Sequence, residues 1–308
     1  MKNIFVFLNS VRPVNLFIIV LTMYLVRYYL ILPAYEIEFK VTEIFPLHIS
    51  EEYFFLLVLT TVLIAAAGYI LNDSFDTKID SFNKPEKKTF SSAISRAAST
   101  NIFIITGAVA VTISFFLAES INNIWLGGVQ LASVTLLAFY SSHLKKIMLL
   151  GNVVVALLSA MIPVVAGLYE PSFYPNFSYI LIYAGFAFLI SLIREIVKDA
   201  EDEMGDRAGG RKTIPVVLGR TTTKIILSVL IMITAIVCGR ILYNYFYQYQ
   251  FISFWKIFLC FEIPFAVLFL LLLAAKEKND FSRLSIILKI FMLAGILTMI
   301  PLYYLFLV

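Results

Sequence analysis

The sequence predicts an all-α polytopic membrane protein, nine transmembrane helices in one domain over residues 1–308, and two observations carry that prediction. Apolar and aromatic residues make up 61% of the chain and charged residues 14%, where a soluble domain carries about 45–50% and about 25%. Apolar runs then recur from residue 14 to the C-terminus and leave no soluble block of domain size between them. The basic residues lie scattered in short polar connections, so nucleic-acid binding has no footprint. Cys238 and Cys260 both sit inside apolar runs and imply neither a disulfide framework nor a thiolate metal site. With only His48 and His143, a histidine-rich metal centre is excluded as well.

A hydrocarbon core about 30 Å thick requires about 20 apolar residues per helix. Nine stretches fit, at 14–32, 53–72, 97–117, 124–142, 148–168, 176–197, 223–243, 254–275 and 285–307. The first follows Lys2 and Arg12, is long enough to span and lacks a small-residue cleavage pattern, so it reads as a retained helix. The second and sixth run directly into acidic segments, and the fourth ends in Tyr140-Ser141-Ser142-His143-Leu144-Lys145-Lys146. With nine spans, the connections that share a side with the N-terminus hold 20 of the 24 basic residues, leaving Arg27, Lys40, Arg240 and Lys256 for the other side. Basic residues collect in cytoplasmic loops, so the N-terminus is predicted inside and the C-terminus outside. The outer side carries Glu36, Glu38, Glu43, Glu51, Glu52, Glu119 and Glu170, with one glycosylation sequon at Asn176.

The first acidic segment reads Asn72-Asp73-Ser74-Phe75-Asp76-Thr77-Lys78-Ile79-Asp80. At about 100° per residue, Asn72, Asp76 and Asp80 stand at about 0°, 40° and 80°, and point from one face if the helix continues past the membrane surface. Carboxylates at that boundary are costly when unpaired and are functional by default. The second segment places Asp199, Asp202 and Asp206 at about 0°, −60° and −20°, again on one face. Two such sets on one membrane side fit a shared site for hard divalent cations, magnesium before others, since it takes oxygen ligands and bridges carboxylates to substrate phosphates. Lys84, Lys145, Lys146, Lys198, Arg211 and Lys212 lie where a phosphate needs cations. The Gly205 to Thr213 stretch imitates a phosphate-binding loop but has Arg211 where the lysine belongs and no strand before it.

Together these residues resemble the UbiA superfamily of intramembrane prenyltransferases, whose signatures are Asn-Asp-x-x-Asp-x-x-x-Asp and Asp-x-x-Asp-x-x-x-Asp. Asn72, Asp73, Asp76 and Asp80 match the first; Asp199, Asp202 and Asp206 match the second. Arg12-Pro13-Val14-Asn15, the Tyr140 to Lys146 segment, Gly151-Asn152 and Lys212-Thr213-Ile214-Pro215 follow as landmarks in the family order. Asn83-Lys84-Pro85-Glu86-Lys87-Lys88 departs from the pattern, in which Arg-Pro-Ile is frequent. The resemblance implies helices around a central cavity, two Mg2+ ions, a polyprenyl diphosphate donor and a cytoplasm-facing polar cap in the cell membrane. The wording from Arg194 to Arg207 and the Leu144-Lys145-Lys146 ending are most similar to the branch that moves a geranylgeranyl group onto a geranylgeranylglycerol phosphate-type lipid. Other branches prenylate aromatic acceptors such as 4-hydroxybenzoate or dihydroxynaphthoate.

On that reading all seven Asn and Asp side chains are candidate metal ligands, and the six cations above meet the diphosphate. Tyr140 and Tyr69 are candidates for facing the allylic cation, and Arg12 and Asn15 for holding the acceptor. Membrane lipids surround the chain. A cation-coupled transporter is the alternative from another class; it accounts for acids in a membrane but not for their concentration beside lysines.

Overall fold

The computed structural model describes residues 10–33, 47–83, 95–171, 177–246 and 251–306. Among them the chain is helical, with no strand. The helices are α1 Pro13–Val26, continued by a π-helical turn Arg27–Ile31, then α2 Glu51–Asn83, α3 Arg96–Ser120, α4 Trp125–Ser142, α5 Leu150–Leu168, α6 Phe177–Ala208, α7 Ile214–Phe246, α8 Phe251–Ala274, α9 Lys278–Leu297 and α10 Met299–Phe306. Lys2, Glu36, Glu38, Lys40, Glu43, Lys84, Lys87, Lys88 and the Asn176 sequon residue fall outside the described residues.

The described residues of each expected apolar run are largely helical, but the expected count of nine crossing helices is not confirmed. Seven helices among the described residues are long and apolar enough to cross a bilayer. The 124–142 run, now α4, is diluted by Gly127, Gly128, Gln130, Ser133 and Thr135, residues that serve close packing and interhelical hydrogen bonds better than lipid contact. Gln130 is 2% exposed and donates to the Thr61 hydroxyl on α2 at 3.0 Å. Among the described residues of α8 the apolar stretch is Phe261–Ala274. The last run is divided at Thr298, whose hydroxyl donates back to the Gly295 carbonyl at 2.6 Å, so α10 is a separate short helix.

The chain divides into two compact units, the first comprising Met1–Lys145, Leu157–Ala184 and Leu293–Val308, the second Lys146–Ala156 and Gly185–Met292. The core of the first unit gathers Met23 and Val26 of α1, Phe54 and Leu57 of α2, Leu117 of α3, Leu126 of α4, Ala166 of α5 and Ile180 of α6. Helices α2, α3 and α4 approach closely because glycine lines the contact: a β-carbon on Gly127 would stand 2.5 Å from the Phe115 ring. Side chains such as Ile105 and Leu181 point outward and are exposed, the apolar exterior a bilayer requires.

A network closes this unit near the start of α2. Arg27, 1% exposed, donates Nε to Glu51 at 3.0 Å, Nη1 to Glu170 at 3.1 Å and Nη2 to the Ile49 carbonyl at 2.8 Å. Glu170, fully buried, also accepts from the His48 backbone N–H at 2.7 Å. Burial pushes the Glu170 carboxyl upward, and the His48 amide and Arg27 pull it back. From Glu51 to Asn72 the rise along α2 is about 30 Å, close to one hydrocarbon thickness.

The second unit packs Ile193 and Ile196 of α6, Leu227 and Ile231 of α7, Phe265 and Leu268 of α8, and Phe281 and Leu284 of α9 into one core. Its polar tie is Lys224, which donates to the carbonyls of Leu273 and Ala275 at 2.7 and 2.9 Å, satisfying orphan groups at the end of α8. Gly219 breaks α7 with φ 78° and ψ 166°, a conformation that only glycine adopts without strain.

Removing one partner of a buried ion pair leaves an uncompensated charge, a loss of about 3–5 kcal/mol. Arg27→Met is expected to destabilise the detergent-solubilised protein by that order, and Arg27→Met/Glu170→Met to recover part of it. Equal unfolding midpoints for the two variants would show that the Arg27–Glu170 pair is not what holds this end.

Candidate active site

The first acidic motif belongs to the first unit. Helix α2 continues without a break to Asn83, so the motif is helical and its register is realised. The side chains form a stripe about 100° wide, with Asn72 and Asp76 toward one edge and Tyr69 and Asp73 toward the other. The two edges have different partners.

At the first edge, Asn72 Nδ2 donates to Asp76 Oδ2 at 3.1 Å. Lys145, 8% exposed, is presented by the short turn Leu144–Lys146 after α4. Its Nζ donates to Asn72 Oδ1 at 3.0 Å and Asp76 Oδ1 at 2.5 Å. Phe75, one residue back, carries the Arg96 guanidinium at 3.7 Å and the Lys145 ammonium at 5.5 Å from its ring centroid.

At the second edge, Arg12 Nη2 pairs with Asp73 Oδ1 at 3.0 Å, the side chains 28% and 3% exposed. The guanidinium lies 4.7 Å from the Tyr69 ring centroid, and Asn15 Nδ2 donates to the Tyr69 hydroxyl at 3.2 Å. Arg12 caps α1 in a left-handed conformation, φ 54° and ψ 66°, directly before Pro13. Such a backbone is strained for a non-glycine residue, and the position before proline favours extended geometry. Tyr140 is half-buried in the last turn of α4. Asp80 keeps its place on the helix, but its side chain, like Lys84, lies outside the described residues.

The second motif belongs to the second unit and is likewise helical, because α6 runs on to Ala208. Asp199 Oδ2 accepts from Asn152 Nδ2, near the start of α5, at 2.7 Å. Asp206, 2% exposed, pairs with Arg211 at 3.1 Å. The chain turns after α6 so that the Arg211 N–H reaches the Asp206 carbonyl at 2.9 Å and the Lys212 N–H reaches the Lys146 carbonyl at 3.1 Å. The side chains of Lys146 and Lys212 are exposed. Lys198 lies 3.9 Å from Glu195, which also accepts from Arg194 at 3.0 Å.

Among the described residues no three His, Cys, Asp or Glu side chains converge as a ready metal cage. The donors instead suit a metal that completes its shell elsewhere. Magnesium usually takes one or two carboxylates and fills the remaining positions with water and substrate phosphate. The oxygens of Asn72 and Asp76 converge on a single cationic centre, the Lys145 ammonium, and are the hard donors that magnesium takes.

Two site features escaped the sequence reading. Asn152 reads as a landmark in the sequence, and nothing local announces its hydrogen bond to Asp199, 47 residues away. The pairing of Arg12 with Asp73 across 61 residues is equally invisible locally. Lys145 and Lys146, both candidates for meeting the diphosphate, differ in burial: Lys145 is buried against the first motif and Lys146 is exposed.

Known proteins resemble the chain in both sequence and fold. It is 39% identical over 182 residues to a digeranylgeranylglyceryl phosphate synthase of Sulfolobus acidocaldarius, covering 58% of this chain and 63% of that protein. A namesake from Sulfurisphaera tokodaii is 37% identical over 183 residues, with the same coverage. The chain thus spans less than two thirds of the length of these relatives. The fold is similar to a solved structure of a digeranylgeranylglyceryl phosphate synthase, with a TM-score of 0.63 at 22% identity over 98% of both chains. A UbiA homolog from Archaeoglobus fulgidus, solved with DMAPP and Mg2+, gives 0.58 at 17% identity over 94% of this chain and 99% of that one. The sequence profile of the UbiA prenyltransferase family matches residues 44–304, both acidic motifs included. With this match over most of its length, the chain belongs to the UbiA prenyltransferase family.

Proposed function

We propose that this integral membrane protein transfers a polyprenyl group, geranylgeranyl by preference, from its diphosphate to the hydroxyl of a glycerol phosphate lipid. The observation that carries the reading is the convergence of Asn72 and Asp76 on a cation at the end of an apolar helix. The names of the similar synthases support the acceptor, and the DMAPP and Mg2+ of the Archaeoglobus fulgidus homolog support donor and metal. The surplus of basic residues in connections on the N-terminal side supports a cytoplasmic N-terminus and active site in the cell membrane, with the C-terminus outside.

The donor set fits magnesium, with Asn72, Asp76 and Asp80 as ligands from the first motif and Asp199, Asp202 and Asp206 from the second, one ion to each. These residues would hold the ion, which would supply positive charge to the diphosphate leaving group; the allylic C–O bond breaks with its electron pair on the leaving oxygen. Lys145 reaches the same oxygens and is placed to hold diphosphate beside them. Lys84, Lys146, Lys198, Arg211 and Lys212 are the further cations for that anion. Tyr140 offers a ring face to the allylic cation, worth about 0.5–2 kcal/mol, whereas the Tyr69 ring already faces Arg12. The acceptor hydroxyl oxygen forms the new C–O bond and releases its proton to the aqueous phase. Arg12 meets the acceptor's phosphate with a planar fork that lysine does not reproduce, and Asn15 orients Tyr69 beneath it. The apolar surroundings exclude water that would quench the cation.

Purified protein supplied with labelled geranylgeranyl diphosphate, Mg2+ and a panel of glycerol phosphate lipids and aromatic phenols is expected to prenylate the glycerol phosphate lipid. Product only on a phenol overturns the acceptor assignment, and ion flux in sealed vesicles without any product overturns the enzyme itself. Asp76→Asn and Asp202→Asn are each expected to abolish turnover while the protein still folds, as excess chelator does; full activity in either variant removes that carboxylate from the metal site. Arg12→Lys is expected to raise the acceptor KM about tenfold with donor binding nearly unchanged, because it removes uniform binding of the acceptor. An unchanged acceptor KM makes Arg12 an ordinary anchoring charge.

A further inference from the structure

Asp73 and Asp76 of the first motif pair with different cations, Arg12 and Lys145. Asp73 stands at the far edge of the stripe from Asn72, about 100° away, and its Oδ1 is committed to Arg12 at 3.0 Å. The carboxylate is buried, whereas Arg12 keeps 28% of its side chain exposed. The guanidinium is therefore anchored from behind. Tyr69, one turn before Asp73, supports it from a second direction at 4.7 Å, and Asn15 fixes the Tyr69 hydroxyl at 3.2 Å. These contacts hold a residue whose backbone is left-handed immediately before a proline. Strain of that kind persists only where the surroundings over-determine it, and it clusters at functional sites.

We propose that Asp73 is the positioning residue for Arg12 and does not ligate metal, so that one contiguous motif serves two chemistries: Asn72 and Asp76 for the cation that holds diphosphate, Asp73 for the arginine that holds the acceptor's anionic group. The Arg12 half rests on the acceptor reading above. The assignment of Asp73 does not, because metal ligation can be measured without any acceptor.

The experiment has two arms. In the first, binding of Mg2+ with inorganic diphosphate is measured by calorimetry on detergent-solubilised protein. Asp73→Asn is expected to bind within about twofold of wild type and Asp76→Asn to lose on the order of tenfold or more, since only the latter removes a proposed ligand. A loss in Asp73→Asn matching that in Asp76→Asn overturns the proposal. In the second arm, Asp73→Asn is expected to raise the acceptor KM about tenfold, as Arg12→Lys does, and the double variant to be no worse than the poorer single, because residues acting through one another are non-additive. Additive losses, or a lower melting temperature with an unmoved KM, reduce the pair to a structural staple and also overturn it. If Asp73→Asn does not fold, Asp73→Glu keeps the charge and displaces it by one methylene; it is expected to give an intermediate acceptor KM with diphosphate binding retained, and wild-type kinetics there count against positioning. A wild type that prenylates no glycerol phosphate lipid defeats the acceptor reading and the Arg12 half together, while the calorimetric arm still decides Asp73.

Discussion

An ion pair that no water can reach holds the first unit to its shape. Arg27 has its guanidinium inside an apolar helix and survives there because three oxygens and the Phe54 ring, 4.4 Å away, take up its charge. In a chain this apolar an unmatched charge is far more expensive than an unmatched methyl group, so each buried cation dictates where an anion must be. Arg27 thereby fixes α1, the start of α2 and the residue pair after α5 to one another. Lys145 does the same at the far end of α2 with Asp76, and Arg12 with Asp73. Packing of leucine and isoleucine fills the space between, and the ion pairs add fixed partners at the two ends of α2.

The second unit obeys the same rule with different parts. Asp206 is matched by an arginine five residues on, and Asp199 by the neutral Asn152. The amide of Asn152 satisfies one lone pair of Asp199 and brings no charge of its own. Glu203 pairs with Arg207 and Arg220, whose side chains are exposed.

What was legible in the sequence is what depends on near neighbours. Helices follow from apolar runs, and the two motif registers follow from the period of the helix, which α2 and α6 keep past the apolar runs to Asn83 and Ala208. Pairings between distant segments were not legible. Arg27 registered only as a basic residue on the wrong side of a charge count, because its partner Glu170 lies 143 residues away. The count of nine crossing helices is not confirmed at α4, which reads as a span although Gln130 bonds to α2 and Gly127 packs closely against α3. The π-helical turn Arg27–Ile31 gave no compositional sign at all.

The two buried ion layers of the first unit also give it a fixed gauge. A helix free at its ends can shift along its axis when the surrounding lipid thickens or thins, but α2 is pinned near Glu51 and again at Asp76. Its apolar band cannot lengthen or shorten. In a bilayer of another thickness the whole unit must tilt, or the lipid around it must stretch or compress, at a fraction of a kcal/mol for each Å of mismatch. Acyl-chain length is thereby converted into inclination of the unit, and the acidic end of α2 is carried with it at constant distance from the Arg27 layer.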